Sequence, residues 1–273
     1  QILHASRGCI RNCSFCMVYK VEPHWICKKT IREEVFKKKL VFYDNNLLAN
    51  PYIEYLLCEL IQLRKEKLIT RCESQSGFDG RVLRLKPHLA RMLYKAGFKN
   101  PRIAWDGSVT LYKIIQEMVQ ILVDAGYKHG DISIFMIYNY NLTYNEMETK
   151  RSLIYKLGCQ VNDCRYHPIT QTYDHYNPHK QHQSSRDYYI HPRWTDEEVR
   201  LFRKNCRRHN ICIRYRMSWH HPIVEYRRVD QQLKDMYREM SWEEIQAHLP
   251  DESQGNPQNG GLNRNGKIVG YHN

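Results

Sequence analysis

Cys9, Cys13 and Cys16 stand in the run Ser6-Arg7-Gly8-Cys9-Ile10-Arg11-Asn12-Cys13-Ser14-Phe15-Cys16, a C-x3-C-x2-C spacing. A loop this short can turn three thiolates toward one metal centre, and soft thiolates favour iron–sulfur clusters or zinc. Three protein ligands rather than four leave one metal position open, as a catalytic centre requires. The chain carries ten cysteines among 273 residues, and no secretory leader is expected. Reduced thiols in a cytoplasmic setting are therefore expected, as ligands or core residues rather than as disulfides.

The elements that must position this loop are legible as an alternation of short strands and helices. Ile2 to Ser6 reads as a strand that runs straight into the cysteines. Residues 30–38 read as a short helix and Leu40 to Asp44 as a strand. Pro51 opens a helix along Ile53, Leu56, Leu57, Leu60 and Ile61. Leu68 to Ser74 is the next strand, and Pro87 to Lys95 a helix closed by Gly97. Pro101–Asp106, Ile132–Tyr138 and Gln160–His167 read as strands, separated by helices over Leu111–Asp124 and Asn145–Leu157. Six strands with short helical connections predict an α/β fold around a parallel sheet with right-handed crossovers. Periodicity alone does not distinguish an open sheet from a barrel.

Against that background the cysteine loop resembles the cluster-binding signature of the radical S-adenosylmethionine enzymes, with an aromatic residue, Phe15, just before the last cysteine. Arg7-Gly8-Cys9 through Cys16, followed by Val18, Lys20 and Glu22-Pro23, is most similar to the methylthiotransferase and cobalamin-linked branches. The resemblance covers residues 1 to about 167 and implies a partial (β/α)6 TIM-like barrel. It further implies a 4Fe–4S cluster on Cys9, Cys13 and Cys16, with S-adenosylmethionine chelating the fourth iron. Reductive cleavage of the sulfonium would give a 5′-deoxyadenosyl radical that abstracts a substrate hydrogen, and the electron would come from a protein such as a flavodoxin or ferredoxin. Cofactor-binding residues are expected at the carboxyl ends of strands. These are Phe15, Asp44 and Asn45 of Asp44-Asn45-Asn46, Gln75, Asp79, Arg81, Asp106, Tyr138 and Asn139. The resemblance sets Arg81 against the cofactor carboxylate and Gln75 against the ribose. The superfamily's Gly-Gly-Glu form is absent. Two other readings of the triplet stand beside this one, a zinc site with a distant fourth ligand and a chance alignment of core cysteines.

Beyond His167 the alternation stops. Residues 168–193 are rich in Tyr, His, Gln, Asn and Ser and read as a long loop. Thr195 and Glu198 form a capping-box pattern ahead of a basic helix, Glu197 to Arg208. Ile211 to Met217 reads as an edge strand, and further helices are expected near Asp230–Met240 and after Ser241. The expected organisation is a barrel over 1–167, a basic Tyr/His-rich extension over 168–249 and a disordered tail over 250–273. Because the chain opens at Gln1 inside a strand-like run, a preceding segment is expected.

The formal net charge of +13 and 20 tyrosines favour a polyanion and stacking partners. Arg200, Arg203, Lys204, Arg207 and Arg208 share the basic helix. Arg214, Arg216, Arg227 and Arg228 follow, interleaved with Tyr215, Trp219 and Tyr226. RNA or DNA is the expected substrate, with a peptide or small metabolite as the alternative, and a zinc-stabilised binding protein without catalysis as the reading from another class. Cys159, Cys164, Cys206, Cys212, Cys27 and Cys72 are conceivable donors to a second cluster, and Cys72 or Cys164 a hydrogen-atom donor. Zinc at His175, His179 and His182 is opposed by Pro178. No apolar run reaches the ~20 residues of a membrane span.

Overall fold

A computed structural model gives the structure of the protein and describes residues 1–219. The chain divides into two units, Gln1–Arg203 and a second that begins at Lys204. In chain order the strands are β1 (Ile2–Leu3), β2 (Ser6–Arg7), β3 (Ile26–Cys27), β4 (Lys39–Phe42), β5 (Arg71–Ser74), β6 (Arg102–Ala104), β7 (Ser133–Tyr138) and β8 (Gln160–Arg165). The helices are α1 (Val18–Val21), α2 (Ile53–Lys65), α3 (Gly80–Leu85), α4 (His88–Ala96), α5 (Tyr112–Asp124), α6 (Tyr144–Lys156) and α7 (Asp196–Tyr215).

Parallel sheets alternate with helices, so the α/β class stands. One sheet has the order β1-β4-β5 and the other β6-β7-β8, with every pair parallel. Between them, isolated parallel bridges join Cys72 to Phe98 and Phe78 to Ile103. Helix formation follows the apolar spacing. α2 buries Ile53, Leu56, Leu57, Leu60 and Leu63, and α5 buries Ile115, Met118, Val119 and Leu122, each a single stripe at helical period. Gly97, at φ +90°, closes α4 in the left-handed conformation that a side chain would strain. Thr143 and Glu146 cap α6 reciprocally.

Three expectations change. The strand read over Ile2–Ser6 is two strands: β1 pairs with β4, and β2 turns away to pair antiparallel with β3. The cause is Asp44, whose carboxylate accepts hydrogen bonds from the Ala5 and Ser6 amides that a neighbouring strand would otherwise take. The helix read over 30–38 is one 3-10 turn, Arg32–Glu34. Gln1 takes up the Phe36 and Lys37 amides and the Glu34 carbonyl, which interrupts any helical ladder. The edge strand read over Ile211–Met217 is instead the end of α7. Its capping box is present as expected. However, Val199, Phe202, Cys206, His209 and Cys212 are buried at helical spacing, which carries the helix to Tyr215. The first unit runs to Arg203. The 168–203 segment is tied back to the sheet ends, for instance by Trp194 Nε1 donating to Leu142 O at 2.7 Å. Expectations for residues 220–273, including the tail and Arg227, Arg228 and Tyr226, lie outside the described residues.

Candidate active site

β2 and β3 form the neck of a loop that carries the three cysteines. Gly8 sits in this neck at φ +78°, where a Cβ would come within 2.6 Å of the His24 carbonyl oxygen, so only glycine lets the strands close. Glu22 seals the neck. Its carboxylate accepts from Gly8 N at 2.7 Å and Asn45 Nδ2 at 2.8 Å, and it pairs with the Arg7 guanidinium. Inside the loop, Cys16 N donates to Cys13 O at 3.0 Å, which closes a turn between the last two cysteines. Arg11 N donates to Cys9 Sγ at 3.3 Å. All ten cysteines are thiols, and Cys9, Cys13 and Cys16 are half-buried.

The three thiols line one cleft of about 770 Å³, within the range of cofactor pockets. Its walls come from the carboxyl ends of the strands: Asn45 and Asn46 after β4, Ser76 to Arg81 after β5, Ala104 to Gly107 at β6, and Cys164 on β8. Of the residues expected at the site, Cys9, Cys13, Cys16, Phe15, Asn45, Asp79, Arg81 and Asp106 line this cleft. Asn46, Trp105 and Gly107 join them without having been singled out as cofactor ligands.

Charge in the cleft is organised by Asp79. It caps α3 by accepting from Arg81 N at 3.0 Å, and its carboxylate also takes Arg11 Nε at 2.8 Å and Asn46 Nδ2 at 3.0 Å. Burial alone would raise its pKa; the Arg11 and Asn46 hydrogen bonds and the charges of Arg11 and Arg81 outweigh burial and hold the carboxyl below its ordinary value. Asp106 shifts the other way. Water reaches it at the cleft rim, yet the surrounding walls displace enough solvent to raise its pKa, against the pull of Lys150 and Arg81. The Cys13 thiol is raised as well, by burial and then by Asp106 and the other two thiols, with Arg81 opposing. Because Asn46 gives its amide nitrogen to Asp79, its Oδ1 is left buried with no partner in the cleft wall. Lys150, on α6, is fully buried; its ammonium donates to the carbonyls of Trp105 at 2.7 Å and Gly107 at 2.9 Å and so clamps the loop that carries Asp106.

Four expected residues do not line the cleft. Asp44 is fully buried and its carboxylate serves the Ala5–Ser6 backbone, with Ser6 Oγ donating at 2.7 Å. Gln75 is exposed, and its backbone amide continues the β4 ladder to Phe42 O at 2.9 Å. Tyr138 is buried between Trp194 and Phe202, with ring centroids 5.9 and 5.0 Å away. Asn139, at φ +58°, is a backbone fastener. Its amide donates to Tyr166 O at 3.1 Å and Tyr189 O at 2.8 Å, and its Oδ1 accepts from His191 N at 2.9 Å. Cys72 is likewise buried, its thiol pushed up to about 12 by burial and aimed at Ala96 O. His175, His179 and His182 are all exposed.

Among the described residues no group of three or more His, Cys, Asp or Glu side chains is placed to hold one metal ion. A 4Fe–4S cube asks for a different arrangement, in which each thiolate binds its own iron and the sulfurs stand apart around the cube. Three thiols on the wall of one roomy cleft, with an unpartnered acceptor and a guanidinium nearby, fit that demand. The chain matches no protein-family model, and no curated protein is significantly similar to it. Among the described residues no helix is long and apolar enough to cross a membrane.

Proposed function

We propose that the protein is a radical S-adenosylmethionine enzyme whose parallel strands, in the order β1-β4-β5-β6-β7-β8, form a partial (β/α)6 barrel. The observation that carries the reading is the convergence of Cys9, Cys13 and Cys16 on one cleft at the carboxyl ends of those strands, where α/β active sites lie. Cys9, Cys13 and Cys16 each hold one iron of a 4Fe–4S cluster. Asn46 Oδ1 accepts from the ammonium of S-adenosylmethionine, which resolves its missing hydrogen bond. Arg81 meets the cofactor carboxylate, and Phe15 supplies an apolar wall to the loop. When bound, the reduced cluster supplies the electron that cleaves the cofactor's sulfonium.

The chain's own residues set the conditions for that chemistry. Asp79 orders Arg11, Asn46 and Arg81, so the cysteine loop and the cofactor groups share one anchor. Lys150 keeps the Trp105–Gly107 wall in place, and Trp105 and Phe78 keep part of the cleft dry. The substrate is a nucleic acid or nucleotide base, in keeping with the net charge of +13 and the basic face of α7 at Arg200, Arg203, Lys204 and Arg207. A cytoplasmic flavodoxin or ferredoxin delivers the electron.

Iron content of cysteine variants tests the ligand assignment. After anaerobic reconstitution, the parent and Cys164→Ala should each hold about four irons per chain, while Cys13→Ala should lose most of its iron. Equal loss in Cys13→Ala and Cys164→Ala, or uptake of zinc alone by the parent, would refute the assignment.

A further inference from the structure

Beside the cysteine loop, four rings from three separate segments close into a bay. Tyr140 follows β7, Tyr166 follows β8, and Tyr189 and His191 come from the long segment before α7. Ring centroids are 4.4 Å apart for Tyr140–Tyr166, 5.8 Å for Tyr166–Tyr189, 6.4 Å for Tyr189–His191 and 6.3 Å for Tyr140–His191. All four residues are half-buried rather than sealed in the core. The bay abuts the candidate active site, because Tyr140 lies edge-on to Phe15 at 6.2 Å and its hydroxyl is 3.3 Å from Ser14 Oγ.

The bay is built in advance. The single side chain of Asn139 bonds the backbone at Tyr166, Tyr189 and His191, holding the segments in one arrangement. Rings fixed beforehand lose little freedom when a ligand arrives. An exposed cation stands at the margin. Arg193 N donates to His191 Nδ1 at 3.2 Å, and the Arg193 guanidinium reaches Asn141 O at 3.0 Å while remaining open to water.

We infer that this bay binds a single-stranded nucleic acid, seating one base against Tyr140, Tyr166 and Tyr189 with its phosphate at Arg193, and so presents the neighbouring nucleotide to the cysteine cleft. The inference deepens the proposed function and rests on it for the chemistry, but not for the binding. Flat heterocycles stack on aromatic rings whatever their sequence, and a guanidinium beside the stack matches the phosphate that follows each base. A duplex hides its base faces, which leaves a single strand as the ligand with accessible rings.

Fluorescence anisotropy of the full chain with ten-nucleotide single-stranded RNA and DNA tests this, with an acidic ten-residue peptide as the contrasting probe. Tyr140→Leu should weaken nucleic-acid binding roughly ten-fold, whereas Tyr140→Phe, which keeps the ring, should stay within about two-fold of the parent. Arg193→Gln should lower the slope of log affinity against log salt by about 0.7. Thermal melts confirm that the variants are folded. Unchanged binding by folded Tyr140→Leu, or tighter binding of the peptide than of either nucleic acid, overturns the inference. The assay needs neither iron nor S-adenosylmethionine. Failure here in a protein that still cleaves S-adenosylmethionine counts against the bay alone. Ring-dependent binding in a protein that takes up no iron supports the bay and removes the radical chemistry.

Discussion

The two sides of the cleft are fastened by different forces. On the side of β1, β4 and β5, the cysteine loop is held by charge, with Glu22 on Arg7 and Gly8 and Asp79 on Arg11. On the side of β7 and β8, the loops are held by a neutral amide, Asn139, and by ring packing. Ionic fastening responds to pH and salt, whereas hydrogen bonds between a neutral amide and the backbone do not titrate. The cysteine loop is thus held by contacts that titrate, and the loops after β7 and β8 by contacts that do not.

The side of β7 and β8 should show the largest loss when its fastener goes. Asn139→Ala deletes three part-buried hydrogen bonds and leaves alanine at φ +58°, a conformation that disfavours it. The expected cost is about 4 kcal/mol in chemical denaturation, taking roughly 1 per bond plus the backbone strain. A loss below about 1 kcal/mol would show that the rings hold the loops without Asn139.

Lys150, behind the Asp106 wall, gives the next effect. Burial lowers its pKa from 10.5 to about 8, with Asp106 and Glu146 pulling it back up. Between pH 8 and 10.5 the unfolded chain therefore binds the proton that the folded chain has released, so this group makes stability rise with pH across that window, by about 3 kcal/mol. Below pH 8 both states are protonated and the contribution is flat. Urea melts of the parent and Lys150→Met at pH 8 and pH 10.5 isolate it: the parent should gain on the variant by roughly that amount. Parallel behaviour of the two proteins would mean that Lys150 carries no buried charge.

On the ionic side, Asp79→Ala removes the cap of α3 and the partner of Arg11, at an expected cost of about 2 kcal/mol at pH 7. Because the folded Asp79 pKa lies below its unfolded value, its contribution is complete above that unfolded value, 3.8. It disappears as pH falls through the lower folded one. Parent and variant should therefore converge in acid. A gap that stays constant down to the lowest accessible pH would contradict an ionic fastening.

The same contrast explains what could be read from the sequence. The cysteine triplet, Asp79, Arg81 and Asp106 were legible because each stands next to a strand end, where local pattern predicts both the element and its exposure. Asp44 and Asn139 also stand at strand ends, but their partners lie elsewhere in the chain: Ala5 and Ser6 for Asp44, and Tyr166, Tyr189 and His191 for Asn139. Only the fold shows that these polar groups are spent on backbone. The aromatic bay was hidden for a similar reason, since its four rings come from three separated segments. Ile211-Cys212-Ile213 suggested a strand by its short apolar run, and the helical stripe that overrides it begins a dozen residues earlier, at Val199.

The sharpest experiment is anaerobic reconstitution followed by reduction in the presence of S-adenosylmethionine. The expected result is a brown protein that converts S-adenosylmethionine to methionine and 5′-deoxyadenosine, with the conversion lost in Cys9→Ala, Cys13→Ala and Cys16→Ala. A colourless protein, or one that binds iron through those cysteines and leaves the sulfonium intact, would contradict it.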